Sequence, residues 1–173
     1  MSEEPSGSGE STFTPDAAEF RSVMGLFATG VTIVTAMDGD TPVGVAANSF
    51  TSVSLDPPLV LFCVARTSTT WPSIERARKF AVNILGEHQE ELSNLFALKG
   101  ADRFGQTRWH RGVGGSPVLQ DCIAYIDCEF WAEYDGGDHT IVVGKVLDLG
   151  IMREASPLIF FRGQYARMIT ERE

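Results

Sequence analysis

Between residues 122 and 133 the chain changes character at every step. Cys122, Ala124, Ile126, Cys128, Phe130 and Ala132 are apolar, whereas Ile123, Tyr125, Asp127, Glu129, Trp131 and Glu133 form a mixed set. Side chains alternate across a strand, so a period of two this clean means one face in a core and the other on a surface or subunit interface. Asp135-Gly136-Gly137-Asp138 turns the chain, and residues 139–149 run back through Thr140-Ile141-Val142-Val143. Two long strands joined by a tight turn are antiparallel, and that commits the chain to a β architecture.

The remaining segments extend this sheet. Residues 31–37 are β-branched and alternating, and Asp38-Gly39-Asp40 is a hairpin signal that returns the chain over residues 41–47. Further strands are expected over residues 50–54, 59–65, 80–85 and 157–161, the last ending at Arg162-Gly163-Gln164-Tyr165. Thr14-Pro15-Asp16 opens a helix with Phe20, Val23, Met24 and Phe27 on one face; a short helix is expected over residues 72–79 and another over 87–98. Residues 99–120 lack periodicity and read as a long glycine-rich loop, which in a compact domain is functional or packed on a partner. The expected class is mainly β with edge helices, a closed or nearly closed antiparallel barrel.

The 173 residues suit one domain, assigned here to residues 14–170 behind an acidic, Gly/Ser-rich and disordered tail over residues 1–13. A net charge of −9, with 14 basic residues scattered among 23 acidic ones, argues against nucleic acid as a partner. No apolar run approaches the ~20 residues of a membrane span, and the N-terminus does not resemble a secretory signal, so the expected place is the cytoplasm. Cys63, Cys122 and Cys128 are odd in number and lack metal-ligand spacing; reduced core thiols are expected and no metal site. Neither G-x-G-x-x-G after a strand nor G-x-x-x-x-G-K-[ST] occurs, so a dinucleotide would not bind in a Rossmann domain.

Two polar clusters flank the buried apolar run at Leu59-Val60-Leu61-Phe62-Cys63-Val64: Asn48-Ser49-Phe50-Thr51-Ser52 before it and Arg66-Thr67-Ser68-Thr69-Thr70 after it. The second leads into Trp71-Pro72, a helix start with Pro in the first turn and Thr70 as cap; amides there, beside Arg66 and several hydroxyls, suit a phosphate. The first can set backbone N–H groups along a flat polar ring. Together they point to a phosphorylated, planar cofactor.

The sequence A-N-S-F-T-S-V-S-L-D-P-P-L-V-L-F-C-V followed by R-T-S-T-T-W resembles the short-chain flavin reductase family, the NAD(P)H-dependent reductase components of two-component flavin monooxygenases. The likeness extends over residues 20–165 and includes Ala28-Thr29-Gly30-Val31-Thr32-Ile33-Val34-Thr35, Phe80-Ala81-Val82-Asn83, Arg103-Phe104 and Gly137-Asp138-His139. It implies a homodimeric split β-barrel that binds FAD or FMN and uses NADH, with NADPH possible. It also implies a separate oxygenase that receives the reduced flavin. The flavin contacts implied are Ala46, Ala47, Asn48, Ser49, Phe50, Thr51, Ser52 and Ser54 on one side, and Ala65, Arg66, Thr67, Ser68, Thr70 and Trp71 on the other. Arg103 and Phe104 would approach from the neighbouring subunit, and His139 would lie at the nicotinamide side of the flavin as the catalytic residue. A core role for Trp71 stands beside the flavin role. Two other functions stay open on the residues alone: a non-enzymatic flavin or haem carrier, and an FMN oxidase like those acting on pyridoxamine phosphate.

Overall fold

The computed structural model describes residues 14–168, so the tail expected over residues 1–13 lies outside the described residues. Seven strands form the main sheet: β2 (Thr32–Asp38), β3 (Thr41–Ala47), β4 (Phe50–Leu55), β5 (Pro58–Ala65), β6 (Lys79–Ile84), β9 (Ala124–Gly136) and β10 (His139–Ile151). Their order is β3-β2-β6-β9-β10-β5-β4, all neighbours antiparallel. The outermost strands, β3 and β4, are consecutive in sequence and joined only by Asn48 and Ser49, and β3 also touches β5. The sheet therefore curls until its two edges meet at a seam, which is what splits the barrel.

Its interior is filled from both sides of the chain. Phe62 and Phe80 are almost fully buried, with ring centroids 5.3 Å apart and edge to face. Trp71, the first residue of α2 (Trp71–Ala77), packs edge-on against Phe62 at 6.2 Å. Each such aromatic contributes about 2–3 kcal/mol by leaving water. Gly144 interrupts the β9–β10 ladder where the register shifts, because a Cβ there would lie 2.4 Å from Phe80 Cζ. A second core layer gathers Val31, Ile33, Leu85, Phe96, Leu119, Cys122 and Leu158 beneath α3 (Glu90–Ala97).

Four expectations are revised by the structure. The region over residues 99–120 is not all loop: β7 (Trp109–Arg111) and β8 (Pro117–Leu119) form a two-stranded sheet, too short to show a period. Asn83 secures it, its side-chain carbonyl accepting from Leu119 N at 2.7 Å while its amide donates to Ile33 O and Thr35 Oγ1. The helix expected over residues 87–98 starts only at Glu90, since Gln89 instead folds back and accepts from Gly86 N. On β9, Asp127 belongs to the mixed set yet is fully buried, covered by the 112–115 turn, whose Gly114 N donates to its Oδ2 at 2.6 Å. Finally, α1 (Ala17–Met24) buries none of its residues and ends before Phe27; Phe20 within it and Phe27 beyond it are 56% and 71% exposed. The barrel interior is already closed by α2, so α1 rests outside, beside a small sheet of β1 (Thr29–Gly30), β11 (Ile159–Phe161) and β12 (Gln164–Ala166).

Candidate active site at the barrel seam

The polar clusters read from sequence arrive at one end of the barrel for a topological reason. β3 ends at Ala47 where β4 begins, β5 ends at Ala65, and β10 begins at His139, which lies opposite Ala65 in the ladder. The seam, the β5–α2 connection and the β9–β10 turn are thus neighbours. β3 and β4 are edges, so each leaves one row of backbone N–H and C=O groups outside the ladder at the seam. Ser49 pins the crossing: its hydroxyl donates to Cys63 O at 2.8 Å and accepts from Cys63 N at 3.0 Å.

Three cavities follow β3 and the seam. One of about 360 Å³ is lined by Thr41–Gly44, Thr69, Thr70, Ser73 and the 101–104 segment. A second, about 220 Å³, takes Ala46, Ala47 and Asn48 together with Ser93, Phe160 and Tyr165. The third, about 580 Å³, is walled by Asn48, Ser49, Phe50 and Thr51, by Phe20, Met24 and Phe27, and by Phe160 and Arg162. Asn48 and Phe160 belong to both the second and third, which makes them one groove. Backbone edges, exposed amide and hydroxyl groups and an apolar floor fit a flavin, whose ring is flat, with an acceptor-rich edge and a phosphate tail.

The expected residues divide into those that face this groove and those that hold it. Ala46, Ala47, Asn48, Ser49, Phe50 and Thr51 line it; Ser52 and Ser54 continue along β4 past a register shift and line none of the three cavities. Thr70 lines the first cavity, but its hydroxyl is not a helix cap; it accepts from Arg103 Nη1 at 2.9 Å. Ser68 takes the capping part instead, accepting from Trp71 N at 3.2 Å. Thr67 is exposed beside it. Arg66 is half exposed and pairs with Asp135 on the β9–β10 turn at 2.9 Å, while its N–H donates to Asp138 O.

Three residues are engaged elsewhere within the protomer. Trp71 is buried in the barrel core. Phe104 packs edge-on against Phe96 and Trp109, at 5.2 and 6.1 Å, while it also lines the first cavity. Arg103 donates to Gly44 O and Leu98 O, each at 2.7 Å, besides Thr70, tying β3, the α3 end and the β5–α2 connection together. No sequence signal separated this clamp from a ligand-facing arginine.

His139 opens β10 opposite Ala65 and lines none of the three cavities. Its Nδ1 is 2.7 Å from Asp138 Oδ1, and this hydrogen bond and the imidazole charge hold the Asp138 carboxyl below the usual range. An ionised carboxylate only accepts, so Nδ1 carries the proton. Gly137 N and Arg66 likewise hold the Asp135 carboxyl low. Sequence reasoning missed Arg21 of α1, which lines the third cavity with Arg162.

Residues 24–168 match the model of the flavin reductase like domain. The reductase subunit HsaB of a flavin-dependent monooxygenase from Rhodococcus jostii is 46% identical over 150 residues, covering 87% of this chain and 77% of its own length. A flavin reductase from Pseudomonas putida is 46% identical over 151 residues, 87% of this chain and 89% of that protein. Among solved structures, the NADH:FAD oxidoreductase SgcE6 of Streptomyces globisporus in complex with NAD and FAD fragments superposes with a TM-score of 0.85 at 36% identity, covering 91% of this chain and 96% of that one. The chain belongs to the flavin reductase like domain family.

Proposed function

We infer that residues 14–170 form an NADH-dependent flavin reductase that reduces FAD or FMN and releases the product to a separate flavin-dependent oxygenase. The observation that carries this is the seam: two sheet edges meeting over a groove walled by Asn48–Thr51, at the end of the barrel where β5 ends at Ala65 and β10 begins opposite it at His139. The names of the related proteins support the same reading: a monooxygenase reductase subunit and an NADH:FAD oxidoreductase.

Bound flavin would accept at N5 the hydride that leaves nicotinamide C4, giving oxidised nicotinamide and, with one proton, dihydroflavin. The protein's part is positional. Seam amides and the Asn48 and Thr51 side chains donate to the pyrimidine edge where reduced flavin gathers negative charge. Arg66 and the hydroxyls of Thr67 and Ser68 attract the phosphate; the exposed Arg66–Asp135 pair is weak enough to be exchanged for it. His139 Nε2 positions the nicotinamide carboxamide or its phosphates. Trp71, Arg103 and Phe104 act through the groove's walls within the protomer.

A homodimer is part of this proposal. Trp131, Tyr134, Leu147, Leu149 and Ile151 on the β9–β10 hairpin are exposed, and Val53 and Leu55 of β4 extend the apolar surface on the same sheet. A second copy of the chain would cover it. Sedimentation should give twice the monomer mass. Among the described residues no helix is long and apolar enough to cross a membrane. A reducing compartment, the cytoplasm, is supported by unpaired thiols: burial pushes those of Cys122 and Cys128 up to about 12.

Mixing the purified protein with NADH and then adding FAD or FMN tests the function. NADH consumption that starts only on flavin addition agrees with the proposal. Tightly held flavin without NADH consumption favours a carrier, and oxidation of pyridoxamine phosphate an oxidase.

A further inference from the structure

The ion pair between Arg66 of the β5–α2 connection and Asp135 of the β9–β10 turn is built with more care than its exposure warrants. The two side chains meet at 2.9 Å with 53% and 79% of their surface in water. A pair so exposed adds little to stability, yet each partner is held in place for the other. Gly137 N donates to the same Asp135 oxygen, Oδ1, at 2.8 Å, across a turn in which Gly137 takes φ +80°. Arg66 is tied to that turn by its backbone as well, its N–H donating to Asp138 O at 3.0 Å. The register that sets His139 opposite Ala65 places the two segments side by side. Guanidinium and carboxylate therefore stay within reach of one another whether or not the pair is made. Arg66 is also the one cationic side chain of residues 66–70, whose Thr69 and Thr70 line the first cavity. A phosphate arriving there meets a guanidinium that already has an anion.

We propose that Asp135 is a built-in competitor for the flavin phosphate at Arg66, lowering affinity for phosphorylated flavins so that the reduced product leaves. This rests on the reductase reading, with Arg66 as the phosphate's partner, and adds a residue whose carboxylate works against binding. A carboxylate and a phosphate ask the same of a guanidinium, two N–H donors in one plane. Asp135 answers first because Gly137 fixes its carboxylate and the Asp138 carbonyl fixes the Arg66 backbone. A phosphorylated flavin must break the pair to bind, and the pair re-forms as the flavin departs. A carboxylate left beside the bound phosphate adds like-charge repulsion in the same direction. Exposed pairs are worth up to about fivefold in an equilibrium, which sets the reach of the device. Riboflavin has the ring and the ribityl chain but no phosphate, so it escapes the competition. A protein that hands its product on works by flavin turnover, and a weakened phosphate grip suits that task. A flavin carrier would gain nothing from it.

The test titrates the full chain, D135N, R66A and R66A/D135N with FMN and with riboflavin, and follows FMN release by stopped flow. The D135N side chain keeps an oxygen for Gly137 N, so the turn is retained. In D135N, FMN should bind about two- to fivefold more tightly and leave more slowly by a similar factor. Riboflavin affinity should be unchanged, and in the R66A background the Asp135→Asn change should make no difference to FMN. Unchanged or weaker FMN binding in D135N would overturn the proposal. Equal tightening of riboflavin would do so too, since the effect would then act on the turn and not on the phosphate. Tightening that survives in R66A would also overturn it. Hydride transfer from NADH to FMN by the parent protein tests the reductase reading by itself. Normal transfer with unchanged FMN affinity in D135N removes Asp135 alone; the expected affinities without any transfer remove the reading and leave the competition in place.

Discussion

Arg103→Ala separates a wall residue from a ligand more sharply than any other substitution. In the folded protein the Arg103 guanidinium makes three hydrogen bonds, to Gly44 O, Leu98 O and Thr70 Oγ1. The Gly44 and Thr70 bonds are part-buried and count about 1.5 kcal/mol each; the Leu98 bond is exposed and water replaces most of it. Truncation should therefore cost about 3 kcal/mol, less whatever water recovers by entering the adjoining cavity. For a chain of this size with a urea m-value near 2 kcal/mol/M, the unfolding midpoint should fall by about 1.5 M and Tm by about 6–12 °C. Tryptophan fluorescence reports both, since Trp71 borders Thr70 in the chain and Trp109 packs on Phe104. Flavin affinity measured well below the new midpoint should change by less than about threefold, because the guanidinium acts on the groove only by fixing Gly44 and Thr70. An unchanged midpoint with flavin affinity lowered tenfold or more would refute the clamp and return Arg103 to the ligand.

Three further outcomes are expected. Arg66→Ala should weaken flavin binding by about 1–2 kcal/mol, roughly five- to thirtyfold by equilibrium titration, the gain from a phosphate being reduced by the Asp135 pair it displaces; equal affinity removes Arg66 from the phosphate site. His139→Ala should lower kcat/KM for NADH about two- to twelvefold, the worth of one neutral hydrogen bond, with flavin affinity intact; collapse of flavin affinity with normal hydride transfer contradicts its place on the nicotinamide side. Asp127→Asn should flatten the pH dependence of stability: burial raises the folded Asp127 pKa above the unfolded value of about 3.8, so its contribution is fully present below that value and is lost as pH rises through the folded pKa. Chemical denaturation of both proteins across acid pH reads this, and parallel curves would show that Asp127 does not titrate differently on folding.

The barrel was legible because its strands are long. Alternation over residues 122–133 and the Asp-Gly turns at residues 38–39 and 135–136 each act locally, and β9, β10 and the β2–β3 hairpin formed where they pointed. Strands β7 and β8 were hidden because three residues carry no period; a side chain far along the chain, Asn83, decides them. Asp127 misled the pattern for a related reason. Period two tells which residues share a face, not whether a glycine turn covers that face, and a Cβ at Gly112 or Gly114 would stand 2.5 or 2.7 Å from the Asp127 carboxylate. The α1 stripe was readable as a helix face, but exposure of Phe20 and Phe27 follows from what the barrel leaves uncovered. At the candidate site, residue types indicated a phosphorylated flat ligand and topology gathered the polar clusters at one end. Which arginine clamps a wall and which faces a cavity depended on partners remote in sequence: Arg103 on Gly44 and Thr70, Arg162 on Gly25.

In the proposed reaction the groove brings nicotinamide and flavin together for hydride transfer and then lets the flavin go. Anaerobic mixing of the protein and FAD or FMN with limiting NADH tests it most directly, reading flavin bleaching and the fraction of reduced flavin that passes a protein-retaining membrane. Bleaching should equal the NADH added, through many turnovers per protein, with most reduced flavin in the filtrate. Bleaching that stops at one flavin per protein, with that flavin retained, or no bleaching at all, would contradict it.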